Sequence, residues 1–302
     1  IVIDMTVRIP SVGRVGITTR ARIRVGPTFT TVTAIGGIEN NITINNISYK
    51  VHTFTSSGIL TVTSAENNVA PVEYFCVAGA GGGGSGRVSA TSGPNPSTIW
   101  QSGGGGGAGG LLSGILYLNV NSYDVIVGLG GSGGVYPAVS GTPGTPSKIT
   151  IFPLGASLIE SNGGGGGGGG NQVGSPGGSG GGGGSTNSPL FPNTATIVVQ
   201  PGGSGIFNQG NPGGSGTAPS TLSQLGGGGG GAVSVGNTPR PVDGGRGVTA
   251  SIISNQIVYA FGGGGAGQSD GFSNTGNGGG GGSVTGNGGS GGSGIVIIKY
   301  RV

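Results

Sequence analysis

Side chains able to carry chemistry are scarce in this sequence. Its 302 residues include one His, one Cys and, in total, 8 Asp and Glu. His52 has no Cys, His or acidic cluster beside it in the chain, so we expect a hydrogen-bonded or strand-face histidine rather than a metal ligand. Cys76 alternates with apolar residues and is expected to be a buried small side chain rather than a reactive thiol. The sequence therefore predicts a protein that is not an enzyme, with no catalytic residue and no metal site.

One motif resembles a cofactor fingerprint. Gly79, Gly81 and Gly84 satisfy the G-x-G-x-x-G pattern after an apolar run. The dinucleotide fingerprint also needs a helix behind it and an acidic residue about 20 positions further on. Here Ser92-Gly-Pro-Asn-Pro blocks a helix and the next acid is Asp124. We therefore expect no cofactor.

Glycine and proline dominate the composition and limit the kinds of fold. The chain contains 80 Gly and 17 Pro, about a third of all residues, which without a triplet period is typical of disorder. Ordering a glycine backbone costs about 1–2 kcal/mol per residue, and glycine has no side chain to bury in return. A folded structure therefore requires dense backbone hydrogen bonding.

The first 78 residues follow the period of two that is typical of half-buried strands. Ser48–Thr55 and Ile59–Thr63, joined by Ser56-Ser57-Gly58, predict a β-hairpin, and Val72–Ala78 predicts another strand. Short apolar pieces continue to the C-terminus and predict further single strands. These pieces are 115–120, 123–127, 148–152, 196–199, 252–253, 256–261 and 295–300.

Glycine runs separate those later strands. They occupy residues 81–84, 103–107, 163–170, 180–184, 226–231, 262–265 and 278–282. A run held at both ends by a sheet can form an extended helix with three residues per turn, and only Gly lets such helices approach closely enough to exchange hydrogen bonds. We predict an all-β platform, a sheet or a sandwich, that carries a bundle of polyglycine-II helices with essentially no α-helix. Disorder and ordinary long β-loops are the alternatives.

The N-terminus carries an excess of positive charge. Five Arg residues oppose one acid, Asp4, in the first 26 residues, whereas the remaining charges cancel. We predict a basic assembly arm, 1–26, followed by a body, 27–302, that divides into a β-rich start (27–78), glycine runs between strands (79–294) and a closing strand (295–302). The arm residues are Ile1, Ile3, Met5, Val7, Ile9, Arg14, Arg20, Arg22 and Arg24.

The arm is expected to dock onto an acidic neighbouring subunit, with a solvated face and nucleic-acid contact as alternatives. Nucleic-acid binding by Arg14–Arg24 is disfavoured because no aromatic residues are interleaved for base stacking. The chain has no apolar run near the ~20 residues that a membrane-spanning helix needs, so no membrane insertion is expected.

Bulky residues between the glycine runs are expected on turns. Aromatic faces flanked by amides suit the recognition of sugars or protein loops, although the same side chains are also suited to capping the ends of a glycine bundle. The candidate receptor-binding residues are Asn95, Trp100, Leu190, Phe191, Phe207, Asn208, Asp270 and Phe272.

Four segments together carry a family resemblance over about residues 45–302. They are Tyr49-Lys-Val-His-Thr-Phe-Thr-Ser-Ser-Gly, Val72-Glu-Tyr-Phe-Cys-Val-Ala-Gly-Ala-Gly-Gly-Gly-Gly, Gly109-Gly-Leu-Leu-Ser-Gly and Gly291-Gly-Ser-Gly-Ile-Val-Ile-Ile-Lys-Tyr. The chain resembles the glycine-rich structural and tail-fibre-associated proteins of tailed bacteriophages. Some related adhesins carry polyglycine-II bundles whose tip loops contact the host receptor.

This resemblance implies a virion protein, in a tail fibre or adhesin, that recognises the host surface through loops between its glycine runs. The expected partners are neighbouring virion subunits, other copies of the chain, and a bacterial surface glycan or outer-membrane protein. The alternative is a self-assembling extracellular filament subunit in which Ile1–Ile9 completes a neighbour's sheet. Asn41 and Asn46 match the N-glycosylation pattern and are interpreted as chance matches in a protein made by a bacterium.

Overall fold

The computed structural model describes residues 32–90, 98–186, 199–216, 225–237, 244–249, 251–253, 257–265, 267 and 269–302. In these ranges the protein consists of strands, extended glycine segments and two short 3₁₀ helices, Glu66–Asn68 and Ser251–Ile253, without an α-helix. The predicted all-β class is confirmed. The assembly arm, Asn95, Leu190 and Phe191 lie outside the described residues, and the predicted domain boundaries stay predictions.

The strands, numbered in chain order, are β1 Thr33–Ile35, β2 Ile38–Ile44, β3 Ile47–Phe54, β4 Gly58–Ser64, β5 Val69–Val77, β6 Arg87–Ala90, β7 Thr98–Gln101, β8 Leu111–Asn119, β9 Ser122–Ile126, β10 Ser147–Ile151, β11 Ala156–Ser161, β12 Val248–Thr249, β13 Val258–Tyr259 and β14 Ile295–Arg301. Two five-stranded sheets contain most of them. The front sheet has the order β1-β4-β9-β10-β11, and the back sheet has the order β2-β3-β14-β5-β8.

The two sheets pack face to face as a β-sandwich. Their shared core includes Leu60 and Ile149 from the front sheet and Val72 and Ile298 from the back sheet, all buried. A second cluster covers part of the back sheet's outer face, where Tyr259 meets Phe75 edge to face at a ring distance of 5.2 Å. Strand β14 lies between β3 and β5 and is buried on both faces except at Arg301. The last strand of the chain is therefore at the centre of the back sheet.

The predicted hairpin of residues 48–63 is wrong. Strand β3 pairs with β2 and β14, whereas β4 pairs with β1 and β9 in the other sheet. Phe54 and Leu60 both point into the sandwich core, so the chain crosses between sheets at residues 55–57. The actual hairpin joins β2 to β3 through Asn45 and Asn46, whose positive φ angles of 50° and 61° suit a two-residue turn.

Other strand predictions have mixed outcomes. The predicted strands at 115–120, 123–127, 148–152 and 295–300 are present as β8, β9, β10 and β14. Residues 252–253 belong to a 3₁₀ helix instead, and the strand predicted at 256–261 is reduced to β13. Residues 196–198 of another predicted strand lie outside the described residues. Trp100 lies in β7 rather than on a turn, because β7 pairs with β6 at the end of two glycine runs.

Glycine-rich segments beyond the sandwich form a hydrogen-bonded lattice, called the glycine body below. Consecutive N–H groups of residues 78–86 donate in rotation to three segments, so that each segment receives a bond from every third residue. Ala78, Gly81 and Gly84 donate to Gly110, Gly107 and Gly104; Gly79, Gly82 and Ser85 donate to Thr145, Thr142 and Val139; Ala80, Gly83 and Gly86 donate to Gly292, Gly289 and Gly286.

The carbonyl groups of the same segment repeat the pattern. They accept bonds from three further segments, at Gly164, Gly167 and Gly170, at Gly131 and Gly134, and at Gly279 and Gly282. A period of three with hydrogen bonds directed outward to surrounding segments is the pattern expected of polyglycine-II helices, and the assignment of this helix type stays a prediction.

Close packing explains why this lattice needs glycine. A Cβ atom built on Gly82 would overlap the carbonyl oxygen of Ser132, and one built on Gly105 would overlap that of Gly263. The overlapping atoms are backbone atoms, which cannot rotate away as a flexible side chain can. Any other residue at these positions would push two segments apart.

Candidate interaction surfaces

The only histidine is part of the structural core. His52 is fully buried in β3, its Nδ1 lies 2.8 Å from the Gly36 carbonyl oxygen, and its Nε2 lies 3.1 Å from the Tyr300 hydroxyl oxygen. The backbone N–H of Ala34 donates to the same hydroxyl at 2.9 Å. Burial lowers the pKa of His52, against the weaker opposing effects of the Gly36 hydrogen bond and Glu39. The predicted hydrogen-bonded histidine is confirmed, and it ties β1 to the back sheet.

Cys76 is equally inert in the fold. Its side chain is fully buried in the sandwich core, and this burial raises the pKa of the thiol to about 12. Because the thiolate is the reactive form, the expectation of a buried, unreactive side chain is confirmed. Within the described ranges, no group of three His, Cys, Asp or Glu side chains is placed to hold a metal ion. No helix in the described part of the chain is long and apolar enough to cross a membrane.

The glycine body has two ends that carry different exposed residues. The proximal end, marked by Ala78 and Leu111, adjoins the sandwich, and the distal end is marked by Gly86 and Ser102. With a rise of about 3.1 Å per residue, the run between these ends spans roughly 25 Å. Surfaces at the two ends are therefore too far apart to belong to one small binding site.

Trp100 is the candidate residue at the distal end. It is 50% exposed on β7, opposite Val88 of β6. Residues 135–139 share this end because Ser85 donates to Val139 and Ala138 donates to Gly86. Tyr136 is 38% exposed there. Among the described residues, the distal end thus exposes the aromatic side chains of Trp100 and Tyr136, of which sequence reasoning identified Trp100 alone.

Amide side chains hold the distal turns together. Gln172 Nε2 donates to the Ala138 carbonyl oxygen at 2.9 Å, and Gln200 Nε2 donates to Asn171 Oδ1 at 3.3 Å. Asn287 Oδ1 accepts the backbone N–H of Tyr136 at 2.8 Å. Sequence reasoning missed these residues, although their Asn and Gln side chains interrupt glycine-rich sequence in the same way as those near Trp100. The bonds of Asn287 and Gln172 fix the turn that presents Tyr136.

The remaining described candidates lie at the proximal end. Phe207 is 88% exposed on a turn with Asn208, whose φ is 62°, and the neighbouring Gln209 carbonyl oxygen accepts the N–H of Leu111. Phe272 is 76% exposed and lines an open apolar groove of about 770 Å³ together with Phe261.

Asp270 Oδ1 accepts the N–H of Ser290 at 2.6 Å, so its carboxylate supports a turn. Phe207, Asn208, Asp270 and Phe272 are therefore not brought together with Trp100.

The base of the sandwich lies at the end opposite the glycine body. The start of β4, at Gly58, lies beside the glycine body. The preceding residue, Ser57, accepts the N–H of Val127 with its Oγ, and Val127 directly precedes the glycine-rich segment that starts at Gly128. Thr33 pairs with Ser64 at the other end of β4. The chain before Thr33 therefore joins the sandwich at its base, on the side away from Trp100.

Comparison with known proteins gives one family. A family model described as a glycine-rich domain matches residues 55–301, which is most of the chain. A search of curated proteins finds no match.

Proposed function

The chain belongs to the glycine-rich domain family, and on that premise we propose that it is a non-enzymatic structural protein of a bacteriophage virion. In this proposal it is part of a tail-fibre or adhesin assembly and contacts the host surface with the distal end of its glycine body. The resemblance of four segments to phage glycine-rich proteins supports the choice of a virion, and the scarcity of catalytic side chains supports a role without chemistry.

The observation that carries the proposal is the placement of the two ends. The N-terminal segment joins the sandwich at its base, whereas Trp100 is exposed at the distal end. Between them, each segment of the glycine body is bonded to several others. A body linked in this way resists bending, because moving one segment breaks hydrogen bonds to its neighbours. Such an arrangement suits a protein that is anchored at one end and presents a recognition surface at the other.

Recognition is assigned to the exposed aromatic rings of the distal end. Trp100 and Tyr136 offer apolar area at low entropic cost, since the pairing of β7 with β6 holds Trp100 and the amides of Asn287 and Gln172 fix the turn of Tyr136. A saccharide stacks on such rings, and a protein loop packs on them. We therefore propose that the target is a surface glycan or an outer-membrane protein of a bacterium.

Adsorption of the purified protein to bacterial cells tests this function. The fluorescently labelled protein is incubated with a panel of bacterial strains, with and without prior removal of surface polysaccharide or protein. Trp100→Ala should reduce binding to the recognised strain about tenfold or more, since a buried interface aromatic contributes roughly 2 kcal/mol. Phe207→Ala is the matched control, because Phe207 is more exposed but lies at the proximal end. Equal binding by Trp100→Ala and wild type would refute recognition through the distal end.

Electron microscopy of the assembled protein tests the virion role against the alternative of a filament subunit. Labelling of phage particles by an antibody against this chain is the expected result. Open filaments made of the purified chain, without a particle, would favour the extracellular filament.

A further inference from the structure

Strand β8 presents an open sheet edge over residues 113–119, whereas the N–H of Leu111 at its start already donates to the Gln209 carbonyl oxygen. It is the outermost strand of the back sheet, and among the described strands it pairs with β5 alone. The pairing runs without a register shift from Val69↔Asn119 to Val77↔Leu111. The sequence of β8, Leu-Leu-Ser-Gly-Ile-Leu-Tyr-Leu-Asn, contains no charge and no Pro. Ile115 and Tyr117 are 64% and 68% exposed. A long, apolar, regular edge is a template for another strand.

The other three edges of the two five-stranded sheets are blocked. Strand β2 carries Glu39, which pairs with Lys50 Nζ at 2.6 Å, and its exposed positions include Asn40 and Asn41. Strand β1 has three residues. Strand β11 carries Glu160 in an ion pair with Lys148, and its ladder with β10 has a register shift. Charges, short length and irregular register are the features that prevent strand addition, and β8 has none of them.

We propose that β8 accepts the segment Ile1–Ile9 from a second copy of this chain as an added strand. The segment has nine residues, enough to pair with the open positions 113–119 of β8, and Ile1, Ile3, Met5, Val7 and Ile9 alternate with other residues. Added beside β8, this apolar row covers Ile115 and Tyr117, the exposed side chains on the outer face. Backbone hydrogen bonds of the new ladder satisfy the open edge, and the cross-strand apolar pairs select the register.

A donor from the same copy has to cross the base of the sandwich. The N-terminal segment joins the front sheet at β1, which is one edge of that sheet. Strand β8 contacts β11, the opposite edge of the front sheet. Three strands separate β1 from β11, so the attachment point at Thr33 lies roughly 19 Å to the side of the acceptor edge of its own copy at about 4.8 Å per strand spacing. The 22 residues from 10 to 31 are enough chain to reach the β8 of a neighbouring copy without that crossing.

This proposal rests on the assembly role of the arm in the proposed function and gives that arm an acceptor. Because donor and acceptor are different surfaces, the contact is heterologous, so repeated copies either close into a ring, which fits the virion role, or extend as an open filament, which would favour the alternative function. The distal end of the glycine body takes no part in this contact and stays free.

Sedimentation velocity of the full-length chain at about 1–50 µM measures this assembly. Wild type should associate as concentration rises. The double variant Ile115→Lys/Tyr117→Lys should weaken association at least tenfold while keeping the melting temperature, because both side chains are exposed. Ile38→Lys on β2, where Ile38 is 57% exposed, is the matched control and should associate as wild type does.

A mixing experiment separates strand addition from other contacts and from misfolding. A donor variant, Ile3→Lys/Val7→Lys, keeps β8 intact, and the acceptor variant keeps the arm intact. Each variant alone should be monomeric, whereas their mixture should form a one-to-one complex in which amide exchange of residues 111–119 slows at least tenfold.

Three results would overturn the proposal. In the first, the wild type stays monomeric and the amides of β8 exchange fast. In the second, the wild type stays monomeric but the amides of β8 are protected, which would place the chain's own arm there. In the third, the mixture of the two variants forms no complex. None of these results affects the cell-binding test of Trp100, so failure of this contact and failure of the proposed function are distinguishable.

Discussion

Replacing Gly166 by Val tests the central physical argument, that close-packed glycine segments form the body. Gly166 is buried in the run 163–170, and a Cβ atom built on it would overlap the carbonyl oxygen of Gly141. Nearby bonds run from Gly165 to Ser179, from Gly167 to Gly82 and from Gly141 to Gly167. A branched side chain at this position has to separate these segments.

The expected loss of stability follows from these contacts. Overpacking costs about 1–3 kcal/mol, and three lattice hydrogen bonds contribute about 1 kcal/mol each. The free energy of unfolding should fall by at least about 4 kcal/mol, out of the 5–15 kcal/mol that is typical of a domain. At roughly 2 °C per kcal/mol for a chain of this size, the melting temperature should drop by about 8 °C or more.

Calorimetry on purified variants measures the drop, with Gly267→Val as the control. Gly267 is exposed, and the nearest atom to its built Cβ is Ser269 Oγ at 3.9 Å, so the same substitution there should change the melting temperature by about 1 °C at most. Amide exchange should also be slow across 163–170 in the wild type. An unchanged melting temperature in Gly166→Val, together with fast exchange in that run, would refute the packed glycine body.

Two further predictions concern the buried titratable groups. Burial lowers the pKa of His52 in the folded state below its usual 6.5, so the unfolded chain binds a proton more readily and stability should fall as pH drops below about 6.5. The melting temperature of His52→Gln should fall less than that of the wild type between about pH 6.5 and pH 5. Equal falls would contradict the assignment. Cys76, with its pKa raised to about 12, should resist a thiol reagent at about pH 8 in the native protein and react fully in denaturant; rapid labelling of the native protein would show that the thiol is accessible.

Several features of the molecule follow from local sequence. Alternating apolar residues marked β3, β5 and β9, because a half-buried strand needs an apolar side chain at every second position, and the continuous apolar run 295–298 marked β14, a strand buried on both faces. The scarcity of His, Cys and acidic residues, together with the strand pattern, was sufficient to predict a hydrogen-bonded or strand-face His52 and a buried, unreactive Cys76. The length and number of glycine runs predicted mutual hydrogen bonding, since a glycine backbone has no other favourable interaction large enough to offset its entropy.

Pairing and placement were decided only by the tertiary structure. The pattern of β3 and β4 is the same whether they pair or face each other across the sandwich, and burial of Phe54 and Leu60 in one core separates them into two sheets. Trp100 and Phe207 occur in similar local sequences, yet Trp100 precedes a glycine run whereas Phe207 follows one. Because both runs lead from the distal to the proximal end, the two residues lie at opposite ends of a glycine body that is roughly 25 Å long. The open edge of β8 likewise depends on which strands are left without a neighbour. Such long-range relations depend on where distant segments meet, and local composition carries no information about that meeting.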